Sequence, residues 1–154
     1  MSSWLSRARR EDGAALIETA FTLPILLLVS VGIFEFGRAY QTWQVITNAS
    51  REGARVAVLP AYADTSVDAR VRTYLKNGGL PAAIVDDTAK TKVLITPTTI
   101  PVDAAGTTTA SAARVVVEYP FEFMVLQPVA QLVVNGSTAG QAFTMRMTTI
   151  MRDE

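Results

Sequence analysis

The sequence contains neither cysteine nor histidine. Disulfides, Cys nucleophiles, His general bases and metal sites built from these residues are therefore excluded. Lys and Arg number 14, as do Asp and Glu, so the formal net charge is zero and the basic surface of a nucleic-acid-binding protein is missing. The sequence also shows no nucleophile elbow, phosphate-binding glycine loop or paired-acid constellation. We therefore expect no enzyme, no catalytic residues, no metal or cofactor and no nucleic-acid partner.

Charge is scarce near the N-terminus, where residues 13–34 hold a single charged residue, Glu18. The 21 residues from Ala14 to Phe34 would form a helix of about 31 Å, which matches a hydrocarbon core of roughly 30 Å. A cleavable secretory signal would have a shorter apolar core followed by a site of small residues. The pattern predicts a transmembrane helix in the lipid bilayer, and the alternative is a buried helix of a soluble protein.

Basic residues mark the side of this apolar segment that we expect to face the cytoplasm. Arg7, Arg9 and Arg10 precede it, whereas the charges that follow it are mixed in sign. The excess of Lys and Arg on one side predicts a cytoplasmic N-terminus and a C-terminal domain on the other side of the membrane.

The helix is predicted to continue beyond the membrane to about Leu59, because the next proline after Pro24 is Pro60. Its continuation is amphipathic, and we assign Phe36, Tyr40 and Trp43 on the apolar face to helix packing. Tyr40 and Trp43 also lie where an interfacial belt of aromatic residues is expected. Within the span, Pro24 is expected to kink the helix or loosen one turn, and we assign it to assembly together with Glu18.

The remaining sequence predicts a small α+β domain. A helix is expected over 65–77, with a capping box between Thr65 and Asp68 and a stop at Gly78 and Gly79. Strands are expected over 92–97, 113–119 and 142–151, the second of them closed by Pro120. Residues 121–134 fit an edge strand, a short helix or a membrane-contacting loop, and the loops are expected over 79–91 and 101–112.

These elements predict an α+β fold: a long N-terminal transmembrane helix that continues into a small extracytoplasmic domain with an antiparallel sheet. The expected organisation is a basic leader at 1–13, a long transmembrane and amphipathic helix at 14–59, and the extracytoplasmic α+β domain at 60–154.

Glu18 is the most informative residue, because a carboxylate in a lipid-facing segment costs roughly 2.5–3.5 kcal/mol. In one interpretation, the side chain simply reaches the cytoplasmic interface. In the other, cleavage between Gly13 and Ala14 makes Ala14 the new N-terminus and Glu18 the fifth residue. The ammonium group of Ala14, with a pKa near 8, could then pair with Glu18 of a neighbouring subunit and set the axial register.

The second interpretation agrees with a known family. A basic leader that ends in Gly13, followed by an apolar segment with Glu18 as its fifth residue, resembles the leader of type IV pilins and pseudopilins. Residues 9–59 resemble the TadE-like family, the minor pseudopilins of tight-adherence (Flp) pilus systems. The motifs are GAALIE (13–18), LPILLL (23–28), GIFEFGR (32–38) and TNASREGAR (47–55), and residues 145–154 look like the closing strand of the family.

The resemblance implies a structural subunit in the inner membrane or in a surface pilus. Its implied partners are other pilins or pseudopilins, the pilus assembly machinery and a prepilin peptidase that cuts between Gly13 and Ala14. One departure is Ala14, because a large apolar residue often follows the glycine in this class. The competing hypothesis is a periplasmic scaffold or binding module that stays anchored in the inner membrane.

Overall fold

Four helices and three strands make up the part of the chain that the computed structural model describes, which is residues 3–59, 63–104, 106–133, 136 and 141–153. In chain order they are α1 (Ser3–Ala57), α2 (Asp64–Asn77), α3 (Ala82–Val85), β1 (Lys92–Pro101), β2 (Thr109–Phe121), α4 (Leu126–Val133) and β3 (Phe143–Arg152). A long apolar helix followed by a small domain with an antiparallel sheet confirms the predicted α+β fold.

Helix α1 has 55 residues and contains both the apolar segment and its amphipathic continuation. It begins at Ser3, so most of the expected basic leader is helical as well. The helix continues through Pro24, which supplies no N–H for the backbone ladder. It ends at Ala57, close to the predicted end at Leu59, and the proposed stop residue, Pro60, lies outside the described residues.

Two compact units share this helix. One comprises Met1–Gly37 and Met124–Ala139, and the other comprises Arg38–Phe123 and Gly140–Glu154. The apolar part of α1 and α4 therefore belong to the first unit, and the amphipathic part of α1 belongs to the second. The boundaries predicted at residues 13 and 59 follow composition, and they stay a prediction.

Helix α2 forms where its apolar stripe predicts it, but it is not capped as expected. Its N-cap is Ala63, without a side-chain hydrogen bond, so the predicted capping box of Thr65 and Asp68 is wrong. Asp68 instead accepts a hydrogen bond from Arg72 Nε at 2.8 Å, one turn further along the helix. Gly79, with φ of +87°, ends the helix as expected, because this backbone conformation favours glycine.

The sheet is antiparallel with the order β1-β2-β3. In its register, Val93 lies opposite Val117, and Val117 lies opposite Met147. Pro120 does not close β2 as predicted but pairs with Thr144 inside the strand. The β1 ladder stops at Glu118, so β2 is an edge strand beyond that point and tolerates a residue without an N–H.

The core of the second unit lies between the amphipathic part of α1, helix α2 and the sheet. The small residues of α1 allow this close approach, since a Cβ built on Gly53 would lie 2.6 Å from Val71 Cγ2 and 3.2 Å from Val115 Cγ1. At the side of the core, Ser50 Oγ lies 2.7 Å from Thr149 Oγ1 and so links α1 to β3. The buried apolar residues of the core are Ile46, Ala49, Ala54, Val56, Val67, Val71, Leu75, Val85, Val115, Val117, Tyr119, Phe121 and Met145.

Two short helices form in the segment that the sequence left open and in the loop expected over 79–91. The loop expected over 101–112 is shorter than predicted, because β1 ends at Pro101 and β2 begins at Thr109. Residues 126–133 adopt the short-helix alternative as α4, with Pro128 in its first turn, where the missing N–H needs no partner. Helix α3 lies in the stretch expected to be a loop, and the guanidinium of Arg72 holds it by donating to the carbonyls of Val85 and Thr91.

Candidate membrane and assembly surface

The apolar part of α1 is exposed along its whole length. Among the described residues, one helix, Gly13–Ala57, is long and apolar enough to cross a membrane. No residue in its most apolar 18-residue window is buried by the protein. Leu16, Phe21 and Ile33 are 71%, 73% and 70% exposed. A helix with apolar side chains on all sides requires a surrounding that is itself apolar, such as lipid or other helices.

The predicted processing site lies at the start of this exposed stretch. Gly13 is half-buried and Ala14 is exposed, and both belong to α1. A Cβ built on Gly13 would meet nothing within 4 Å, so the fold does not require glycine at this position. The role of Gly13 in processing stays a prediction.

Glu18 lies in a shallow groove on one side of the helix. The groove has a volume of about 320 Å³. Its wall is partly polar, and Thr19 donates its hydroxyl hydrogen to the carbonyl of Ala15 at 2.8 Å. Among the described side chains, none forms an ion pair with Glu18. The lining residues are Ala15, Glu18, Thr19, Thr22, Leu23 and Leu26.

Pro24 lies in the sequence between Leu23 and Leu26, which both line this groove. Its ring removes the hydrogen bond that residue 24 would donate to the carbonyl of Ala20. One backbone hydrogen bond of α1 is therefore missing next to the groove of Glu18. The helix is nevertheless continuous at Pro24.

The three aromatic residues assigned to helix packing are exposed in the single chain. Phe36, Tyr40 and Trp43 are 67%, 65% and 44% exposed, whereas Ile46 on the predicted apolar face is 1% exposed. At about 100° per residue, the aromatic side chains lie at the edge of the sector that faces the core. They are available to lipid or to another protein, and their role in helix packing between subunits stays a prediction.

Sequence reasoning missed the role of Glu35, which is 0% exposed. Its Oε1 accepts a hydrogen bond from the backbone N–H of Val125 at 2.6 Å. One turn further along α1, Arg38 has its guanidinium carbon 5.3 Å from the centre of the Phe121 ring. The sequence shows that Glu35 directly follows the apolar segment, but it does not show a backbone donor 90 residues away.

The span, the groove and the aromatic residues fall within one continuous stretch of α1, and this stretch is similar to a known family. Residues 13–55 match the TadE-like protein family. The match confirms the predicted resemblance over these residues, and the resemblance of residues 145–154 stays a prediction. No curated protein and no solved structure matches the chain.

The TadE-like stretch contains every residue that the sequence assigned to processing, assembly or helix packing. It also contains Glu52, near its C-terminal end, which accepts hydrogen bonds from Arg55 at 3.1 Å and from Arg70 at 2.8 Å. The Arg55 guanidinium, followed by that of Arg70, lowers the pKa of Glu52 below its ordinary value. The polar face of α1 therefore contacts the globular part of its own chain at Glu52, and it is not solvated throughout.

Proposed function

We propose that this chain is a pilin-like structural subunit of a tight-adherence (Flp) pilus system, anchored by α1 in the inner membrane. The observation that carries the proposal is the TadE-like match over 13–55, which coincides with a helix exposed along its apolar part. Pilin-like subunits assemble through such helices, and this chain presents no other apolar surface of comparable length among its described residues. The role is structural and not catalytic.

Assembly would place the apolar helices of several subunits side by side. Small residues and hydroxyl groups allow helices to approach closely in lipid, and the groove beside Glu18 is lined by Ala15, Thr19 and Thr22. Insertion of a neighbouring helix into this groove would remove Glu18 from lipid and bring its carboxylate next to protein groups.

The partner that fits Glu18 best is an α-amino group. If a prepilin peptidase cuts between Gly13 and Ala14, the Ala14 of a neighbouring subunit carries a positive charge at neutral pH. Either ion alone in lipid is costly, whereas the pair offsets much of this cost and is formed in one axial register only. Glu18 would therefore specify how far one subunit is displaced along its neighbour.

The test is to replace Glu18 and to score insertion, processing and assembly separately. Glu18→Gln keeps the size of the side chain and removes its charge, and Glu18→Leu removes its polarity as well. Both variants should be inserted at least as well as the wild type, because the charge costs roughly 2.5–3.5 kcal/mol in the membrane. Both should fail to co-purify with other pilus subunits from detergent-solubilised membranes and should be missing from sheared surface fractions.

The matched control is Ser30→Ala, which removes a hydroxyl group from the same helix. Ser30 donates to the carbonyl of Leu26 at 2.8 Å and does not line the groove of Glu18. This variant should assemble like the wild type. Normal assembly of both Glu18 variants would show that the carboxylate only reaches the interface, and a wild-type chain that never leaves the inner membrane would favour an anchored periplasmic scaffold.

A further inference from the structure

The longest stretch without charge outside α1 surrounds helix α4. Between Glu122 and Arg146 the sequence has no Asp, Glu, Lys or Arg. Helix α4 itself, LQPVAQLV, has Gln127 and Gln131 as its polar residues, and they are four positions apart on one side of the helix. Water-facing segments of this length normally carry charge, whereas short amphipathic helices in the membrane interface combine apolar residues with a polar side.

A hydrogen bond links the start of this stretch to α1 at the end of its apolar segment. Val125 donates its backbone N–H to Glu35 Oε1 at 2.6 Å, and both residues belong to the same compact unit. Glu35 directly follows Phe34, the last residue of the 21-residue apolar segment. With that segment across the hydrocarbon core, Glu35 lies at its outer boundary, and Val125 is held at the same depth.

The side chains around this hydrogen bond are apolar and uncovered. Met124 is 64% exposed and Val125 is 36% exposed, although the backbone of Val125 is hydrogen-bonded to α1. On the helix, Phe34 and Phe36 flank Glu35 and are 57% and 67% exposed. The Glu35 carboxylate is itself 0% exposed, so the chain shields the charge and leaves the hydrocarbon groups outside. This arrangement suits lipid and not water.

We propose that Met124–Val133 is a second membrane contact, a short element that lies in the outer interface of the bilayer. Its occupant is phospholipid: Met124 and Val125 contact the upper part of the acyl chains, and Gln127 and Gln131 hydrogen-bond in the headgroup region. Glu35 acts as a positioning residue that holds the element at this depth through the Val125 N–H. The inference requires α1 to span a bilayer but does not require the pilus function proposed above.

The absence of cysteine from the chain allows a direct measurement of depth. Single variants Met124→Cys, Val29→Cys and Ala69→Cys would each carry one polarity-sensitive fluorophore in the full-length protein. They are reconstituted in phosphatidylcholine–phosphatidylglycerol vesicles with nitroxide quenchers either near the headgroup or in the middle of the acyl chain. Val29 reports the span, and Ala69, an exposed residue of the charged helix α2, reports water.

The label at Met124 should be quenched by the shallow nitroxide about threefold more than the label at Ala69, since interfacial helices lie some 5–10 Å into the headgroup and acyl boundary. The label at Val29 should be quenched best by the deep nitroxide. If Val29 is in lipid while Met124 behaves like Ala69, the proposal is wrong and the anchor stands. A Val29 label in water overturns both. An immobile Met124 label that neither nitroxide reaches indicates a protein partner and also overturns the proposal.

Two substitutions of Glu35 test the positioning role in the Met124→Cys background. Glu35→Gln keeps a carbonyl oxygen that can accept from Val125, so shallow quenching should be retained. Glu35→Leu removes the acceptor, and quenching of the Met124 label should fall towards the value at Ala69. A circular dichroism spectrum unchanged from the wild type establishes that the fold is intact. If the shallow nitroxide quenches the Met124 label equally in Glu35→Gln and Glu35→Leu, Glu35 is not the residue that holds this element.

Discussion

At the scale of single residues, Gly53 sets the distance between α1, α2 and the sheet. A Cβ at this position would lie 2.6 Å from Val71 Cγ2, well inside van der Waals contact, and both residues are buried. Glycine in the middle of a helix is otherwise unfavourable by roughly 0.5–1 kcal/mol relative to alanine. The close approach of the elements explains why the helix retains it.

We therefore expect Gly53→Ala to destabilise the fold by about 1–3 kcal/mol through overpacking. The matched control is Gly37→Ala in the same helix, where a Cβ would meet nothing within 4 Å. This control should be neutral or slightly stabilising. Thermal unfolding of the full chain in detergent, followed by circular dichroism, measures both, and equal melting temperatures would contradict the packing argument.

Gly13 presents the opposite case, because no contact in the fold explains it. If a prepilin peptidase recognises it, the mature chain begins with the sequence Ala-Ala-Leu-Ile-Glu, which N-terminal sequencing of membrane-extracted protein would reveal. Gly13→Ala should be processed in part, since alanine is small, whereas Gly13→Val should accumulate uncut. A wild-type chain that still begins at Met1 or Ser2 would contradict processing but not the membrane anchor.

At the scale of elements, an ion-pair cluster joins the polar face of α1 to α2. Glu52 accepts from Arg55 within α1 and from Arg70 on α2, and these arginines lower its pKa from an ordinary value of 4.5. A carboxyl group with a lowered folded-state pKa stabilises the fold above its unfolded pKa. This contribution is lost as the pH falls through the folded-state value.

Glu52→Gln should accordingly lower the free energy of unfolding by up to about 1 kcal/mol at pH 7, since the pairs are close to solvent. The difference from the wild type should shrink as the pH falls below the ordinary value of 4.5. Urea unfolding at several pH values measures it. The double variant Glu52→Gln/Arg70→Gln is the control and should cost less than the sum of the single changes. A difference that does not depend on pH would contradict the ion-pair origin.

The elements themselves could largely be predicted from the sequence, because hydrophobic periodicity determines them. The apolar run and the stripe of Val67, Val71 and Leu75 led to α1 and α2, and the alternation of Met145 and Met147 led to β3. The features that the sequence did not predict depend on contacts with residues far away in the sequence. Pro120 is tolerated inside β2 because β1 does not pair with β2 beyond Glu118. The residues around Pro120 do not show where the pairing with β1 ends.

The residues of the candidate site also fall into two groups, those found from local sequence and those found only from contacts between distant residues. Glu18 and Pro24 stand out because a carboxylate and a proline interrupt an apolar helix. The aromatic residues stand out because they lie where a membrane interface is expected, and local sequence is sufficient to find them. The contact between Glu35 and Val125 joins residues 90 positions apart through a backbone N–H, which no residue type marks. Arg72 was likewise overlooked, because its acceptors are the carbonyls of Val85 and Thr91.

At the scale of the whole molecule, the two parts of α1 differ in whether their apolar side chains are exposed or buried. Between Gly13 and Gly37 most of its side chains are apolar and exposed, and from Arg38 onward its small and branched residues form part of the core of the second unit. An assembly that replaces lipid by neighbouring helices around the first part need not disturb the second.

The charges on either side of the span predict the orientation of the chain in the membrane. Arg7, Arg9 and Arg10 precede the span, and moving them across the bilayer would be opposed by the positive-inside bias, whereas the charges after Phe34 are mixed. Alkaline phosphatase, which is active only outside the cytoplasm, should therefore be active when fused after Glu154, and a cytoplasm-active reporter at the same place should be silent. Replacing all three arginines with glutamine should raise the cytoplasmic signal, because the bias is removed while the apolar segment is kept. The reverse pattern for the wild type would place the globular part in the cytoplasm and contradict the predicted orientation.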